Sequence, residues 1–254
     1  METAFPLIFL IPISFVCEFI DSSLGMGYGT TLTPLLLLCG FEPLTIVPAV
    51  LFSEFVSGFT AACFHHSIEN VQFNAKSQDT KVATVLTVFS VIGTILAVYV
   101  AVSIPKKLLT LWIGVIVVAM GIIIIATYRR TPRFRWRKIV ALGTIASFNK
   151  GLSGGGYGPL VMGGQMLSGI NVKNAVGITS LTESFTCLTG VIVYYIMKPD
   201  INWSLAPWLM SGAVISVPFA AHLLKRLSPD LAKRITAALI LILGISLLYK
   251  ALVH

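Results

Sequence analysis

Apolar residues run along this chain in blocks of helical length, separated by short punctuation rich in Gly, Pro and charge. The pattern predicts ten helical segments, near 4–21, 29–39, 44–65, 81–102, 107–128, 138–150, 158–168, 173–197, 203–225 and 230–252. Several approach or exceed the ~20 apolar residues that span a bilayer. Gly40, Pro43, Pro105, Gly169, Pro199 and Pro229 fall where helices should stop or start. Asn70 and Asp200 are further candidates for ending or capping neighbouring helices. No basic region precedes the first apolar block, so 4–21 reads as a retained membrane helix and not as a cleaved leader.

The blocks repeat. Gly25-Met26-Gly27-Tyr28-Gly29 returns 129 positions later as Gly154-Gly155-Gly156-Tyr157-Gly158. At the same offset Val47 meets Val176, Glu54 meets Glu183 and Thr60 meets Thr189. The expected fold is therefore all-α and polytopic. About ten helical segments form two inverted repeats of five, each opening with a Gly-broken pair of short helices. The expected division is 1–128 for the first repeat, 129–137 for a basic cytoplasmic linker and 138–254 for the second repeat. The pieces 29–39 and 158–168 are too short to cross comfortably alone. Irregular backbone at membrane depth survives only where protein or water satisfies it, which places both breaks inside the protein.

Charge orients the chain. An inverted arrangement puts 13 basic residues on one side and four on the other, with Lys150 left within the membrane. A parallel arrangement divides them 10 and seven. Lys/Arg enrichment marks cytoplasmic loops, so the inverted reading agrees better. The net charge of +8 does not point to nucleic acid, because six of the 18 basic residues lie between Arg129 and Lys138. Such a cluster suits anionic lipid headgroups. With 56% hydrophobic and 11% charged residues, the chain is expected to be a multi-pass membrane protein. Cys17, Cys39, Cys63 and Cys187 show no metal or disulfide spacing, and neither metal nor cofactor is expected.

The breaks carry the candidate chemistry. Gly25, Gly27, Gly29, Gly154, Gly155 and Gly156 permit close backbone approach, and a short helix starts after each break, near Thr30 and Pro159. Helix N-termini offer unpaired N–H groups and partial positive charge, so two facing ends would hold a small anion. Ser22, Ser23, Thr30, Thr31, Asn149, Ser153 and Tyr157 would add polar groups. The plainer alternative is that these glycines only let helices pack closely.

Lys150 at membrane depth either neutralises an anionic substrate, pairs with its repeat equivalent Asp21, or reaches for an interface. Glu54 and Glu183 lie about ten residues into apolar helices, each after a hydroxyl residue, Ser53 or Thr182. A carboxyl at that depth can hold a proton near neutral pH, which makes this pair a candidate for proton coupling or gating. The alternative is a hydrogen bond that locks the halves together. Glu18 is matched by Ser147, and its role is open. His65 and His66 are matched by Tyr194 and Tyr195 and read as interfacial residues. No nucleophile–base set, phosphate loop or dinucleotide fingerprint is present, so no enzyme is expected.

The segments CEFIDSSLGMGYGTTLTPLLLLCGFEP and SFNKGLSGGGYGPLVMGGQMLSGINVKNAVGITSLTES resemble the sulfite exporter TauE/SafE family. The resemblance covers nearly the whole chain, and it implies a place in a bacterial or archaeal plasma membrane. It implies a secondary transporter exporting a small sulfur-containing anion such as sulfite, sulfoacetate or another organosulfonate. It also implies that the motif from Asn149 to Pro159 matters for function. Met26 stands where the second copy has Gly155, which argues against equal roles for the copies. A passive anion channel or uniporter, or a carrier of a small carboxylate, uses the same features. So does a non-transporting membrane subunit docked through the basic loop. The expected partners are the substrate anion, the bilayer and protons as coupling ion. A homodimer is open, since one chain can contain the whole two-half site.

Overall fold

Local chemistry sets the helix starts. In a computed structural model describing residues 6–126, 136–166, 168, 170–223 and 229–253, ten α-helices follow one another. They are α1 (Leu10–Leu24, after a 3-10 turn at Leu7–Phe9), α2 (Tyr28–Leu38), α3 (Pro43–Ser67), α4 (Gln78–Ser103) and α5 (Lys106–Ala126). Then come α6 (Trp136–Ser153), α7 (Tyr157–Met166), α8 (Val172–Met197), α9 (Ala206–Leu223) and α10 (Pro229–Val253). Pro43 opens α3, where its missing N–H costs nothing. Ser77 caps α4 by accepting the Thr80 N–H at 3.1 Å, and Asn171 caps α8 by accepting that of Lys173 at 3.1 Å. The basic linker lies largely outside the described residues, which omit 127–135.

Six stretches among the described residues are long and apolar enough to cross a membrane, in α1, α3, α4, α5, α8 and α9. Their outward faces are apolar, with Ile92, Ile95 and Leu96 on α4 and Ile122 and Ile125 on α5 exposed. Carboxyls and hydroxyls lie inside, among them Glu18, Asp21, Glu54 and Glu183. This is the distribution a lipid solvent selects. The chain is an all-α polytopic membrane protein.

Packing follows the repeat. Helix α1 lies along α9, as α6 lies along α4. Helix α3 packs on α9, as α8 packs on α4, and the pairs α3/α8 and α5/α10 join equivalent helices. The halves are therefore interlaced, each lending helices to the other.

Contacts also sort the helix ends onto two faces. Near the end of α10, the Lys250 ammonium donates to the Leu37 and Leu38 carbonyls at the end of α2, 3.1 Å each. Pro43, Lys107 and Ala251 line the same cavity of about 320 Å³. Helix α1 runs parallel to α9, since Gly212 lies against Ile11 and Ser14 and the Ser23 hydroxyl donates to the Ala220 carbonyl at 3.4 Å. Helix α10 ends on the Lys250 face, so α9 ends on the opposite one. Helix α1 therefore starts on the face to which α2 returns, and the first broken pair is a re-entrant hairpin. The second pair mirrors it from the other face. Helix α6 runs parallel to α4, with Gly143 against Leu86 and Gly151 against Thr94, and α8 starts beside α4 where Asn174 donates to Asp79 at 2.7 Å.

Candidate functional site

The two hairpins meet tip to tip. Helix α1 continues past residue 21 to Leu24, and α6 past Lys150 to Ser153. Ser22, Ser23, Asn149, Lys150 and Ser153 thus belong to helix ends and not to the breaks. Each helix runs on until a glycine can take the left-handed conformation that stops it, Gly25 at φ +68° and Gly154 at φ +71°. The Gly25 N–H donates to the Asp21 carbonyl at 2.6 Å, and the Gly154 N–H to that of Lys150 at 2.8 Å.

Between the tips, backbone touches backbone. A Cβ on Gly29 would overlap the Gly154 carbonyl oxygen, and one on Gly155 would lie 2.7 Å from Gly29 and Thr30 backbone atoms. Close packing is therefore one observed duty of these glycines. The same crossing brings the starts of α2 and α7 together in the interior. The first N–H of α2, on Tyr28, donates to the Asp21 carboxylate at 3.2 Å. Ser153 shapes the second break, accepting the Gly155 N–H at 3.2 Å and donating to the Asn149 carbonyl at 2.7 Å.

Beside the crossing lies the charge centre. The buried Lys150 ammonium is ion-paired with both Glu54 on α3 and Glu183 on α8, the latter at 2.7 Å. Lys150 does not pair with its repeat equivalent, Asp21. The two glutamates are repeat equivalents on adjoining central helices, so one ammonium near the pseudo-axis reaches both. Asp21 stays in the cluster, and carboxylate oxygens of Asp21, Glu54 and Glu183 lie within 4.8 Å of one another. That spacing would suit a cation, and Lys150 already supplies one. Breaking such a buried pair typically costs about 3–5 kcal/mol.

The remaining polar groups divide. Ser22 donates to Glu18 Oε1 at 2.6 Å and Ser57 to Glu18 Oε2 at 3.0 Å. The Tyr28 and Ser53 hydroxyls are 2.6 Å apart, and those of Tyr157 and Ser90 3.1 Å apart. Thr30 and Thr31 are buried beside the first break, and Thr31 Oγ1 has no hydrogen-bond partner. Glu54 Oε1 is likewise buried without one. Asn149 is half-buried, with its Cβ 3.6 Å from where a Cβ on Gly156 would stand.

Sequence reasoning missed His65. It is fully buried rather than interfacial, with Nε2 3.1 Å from the Ser22 carbonyl oxygen and Nδ1 3.0 Å from Asn70 Nδ2. His66 is exposed. The signal lay in the match of His65 with Tyr194, two hydrogen-bond donors of different chemistry at equivalent positions.

A family model described as sulfite exporter TauE/SafE matches residues 10–247. A relative named "Probable membrane transporter protein YtnM", from Bacillus subtilis (strain 168), is 27% identical over 232 residues, covering 86% of this chain and 75% of its own. No solved structure matches.

Proposed function

We propose that this chain, which belongs to the sulfite exporter TauE/SafE family, exports a small sulfur-containing anion, with sulfite, sulfoacetate or another organosulfonate as cargo and protons as the coupling ion. The chain is a multi-pass membrane transporter. The observation that carries the finer reading is Lys150, buried and ion-paired with a glutamate from each half.

An anion competes with Glu54 and Glu183 for the same ammonium. Protonating either glutamate removes its claim on Lys150 and frees a donor for the substrate. Proton binding and anion binding therefore favour each other, which is coupling through one shared charge. The substrate binds beside the crossing of the breaks, at the depth where broken-helix carriers bind. The starts of α2 and α7, with Ser22, Ser23, Thr30, Thr31, Asn149, Ser153, Tyr157 and the break glycines, surround it. Because α1 packs on α9 and α6 on α4, the units that rock are bundles built across 1–128 and 138–254. Under the positive-inside rule the face bearing Lys106, Lys107 and Lys250 is the outer one.

The test is flux in liposomes holding the purified protein. Sulfite and sulfoacetate are followed with and without an imposed pH gradient. Uphill movement that follows the gradient and is lost in Glu54→Gln or Glu183→Gln supports the carrier. Movement only down the substrate gradient leaves a uniporter or channel. No movement of either anion removes the sulfur-anion assignment.

A further inference from the structure

The pseudo-two-fold breaks down at its charges. Glu54 and Glu183 are equivalent and alike, but Asp21 answers to Lys150 and Glu18 to Ser147. The first hairpin therefore brings two carboxyls to the centre, and the second brings one ammonium. Glu18 is 1% exposed and has no ion-pair partner among the described residues. Its oxygens accept from Ser22 on its own helix and Ser57 on α3.

Its surroundings are acidic. On α1 it interacts with Asp21 and stands next to Cys17, and it interacts with Glu183 on α8 and Tyr28 on α2. Helix α3 adds Glu54, and His65, which faces the Ser22 carbonyl. Lys150 on α6 is committed to the two glutamates. Among the described titratable side chains of α9 and α10, His222 is exposed and bonded to the Pro218 carbonyl, Tyr249 is exposed, and Lys250 holds the α2 carbonyls at a membrane face.

Three buried carboxyls, Asp21, Glu54 and Glu183, thus gather around one ammonium, and Glu18 has no cation of its own among the described residues. Holding uncompensated charge of that kind away from water is unfavourable. A bound proton on Glu18 removes a buried charge that no ion pair compensates among the described residues.

We infer that Glu18 is a proton-binding residue of the transport cycle, the hairpins dividing the work so that the first carries the proton and the second, through Lys150, the anion. This rests on the carrier reading above. A proton from water on one side joins a Glu18 carboxylate oxygen and later leaves to water on the other side. No other bond is made or broken.

The test joins a spectroscopic and a transport measurement on the full chain. In infrared titration of the purified protein, a carbonyl stretch of a protonated carboxyl should be present in the wild type and lost in Glu18→Gln, which keeps the shape and hydrogen-bonding capacity. In liposomes, Glu18→Gln should lose sulfite accumulation driven by a pH gradient while keeping sulfite–sulfite exchange. Accumulation at the wild-type proton-to-anion ratio in Glu18→Gln would overturn the inference, as would an unchanged infrared spectrum. If Glu18→Gln loses exchange as well, Glu18→Asp decides. Recovery of both activities with a displaced pH profile supports proton binding, and no recovery reduces Glu18 to a tie between α1 and α3 and overturns it. Should the wild type carry neither sulfite nor sulfoacetate, the carrier reading falls, and the infrared band alone decides whether Glu18 holds a proton.

Discussion

His65 and Tyr194, 129 positions apart, contact equivalent carbonyls: His65 Nε2 lies 3.1 Å from the Ser22 oxygen, and the Tyr194 hydroxyl donates to the Gly151 oxygen at 3.0 Å. Each carbonyl belongs to the last turn of a broken helix, where no intrahelical donor remains. The third helix of each half supplies the donor, once as an imidazole and once as a phenol. Asn70 Nδ2 donates to Nδ1, so Nε2 carries the proton and is the donor.

Removing one of these donors should leave a buried carbonyl unsatisfied. Tyr194→Phe keeps the ring and removes only the hydroxyl, and should cost about 1–3 kcal/mol. Thermal unfolding in detergent measures this. A melting temperature equal to that of the wild type would mean that water reaches the Gly151 carbonyl.

Lys150→Met should destabilise by about 3–5 kcal/mol, because two buried glutamates lose their only ion-pair partner among the described residues. The triple variant Lys150→Met/Glu54→Gln/Glu183→Gln should recover much of that loss, yet remain inactive. The unfolding midpoints of the single and triple variants, set beside flux, separate the structural duty of Lys150 from its transport duty. A single variant as stable as the wild type would show that the lysine contributes nothing to the junction of α3, α6 and α8.

Burial, not distance, decides what an ion pair contributes. Glu42 and Lys106 are 2.6 Å apart, but their side chains are 59% and 58% exposed. Glu42→Gln should therefore shift stability by no more than about 1 kcal/mol. The same unfolding assay checks it, and a loss as large as that of Lys150→Met would contradict the comparison.

The break glycines should tolerate nothing larger. Gly29→Ala or Gly155→Ala forces the two tips apart, since neither backbone contact can yield a full methyl group. Gly163 on α7 has open space, with nothing within 4 Å of where a Cβ would stand. Gly163→Ala should fold as well as the wild type or gain up to about 1 kcal/mol from helix propensity. Monodispersity on size exclusion in mild detergent distinguishes them: Gly29→Ala should aggregate or be absent, and Gly163→Ala should elute as the wild type.

Much of this molecule was legible in one dimension. Lipid imposes apolar faces and whole-membrane lengths, so the ten helices and their order followed from hydropathy and punctuation to within a few residues. The repeat at 129 positions, with its unequal basic faces, carried the inverted arrangement. Glu54, Glu183 and Lys150 stood out because charge at membrane depth needs a reason. The helix ends at Leu24 and Ser153 were less legible, because the stop depends on which glycine in a run takes positive φ.

Partnership was the part that only the folded chain decided. Sequence marked Lys150 and Asp21 as equivalents and left their pairing open. Packing α3 against α8 put Glu54 and Glu183 within reach of Lys150 and left Asp21 to the N–H of Tyr28. His65 reads as an interfacial residue until α1 ends beside it, and the backbone contact between the two sets of glycines is visible only once the tips cross. The reason is physical: hydropathy and helix signals act within a few residues of chain. Charge pairing and backbone contact join residues far apart in the chain, Lys150 with Glu54 and Gly29 with Gly154, and such gaps close only when the helices pack.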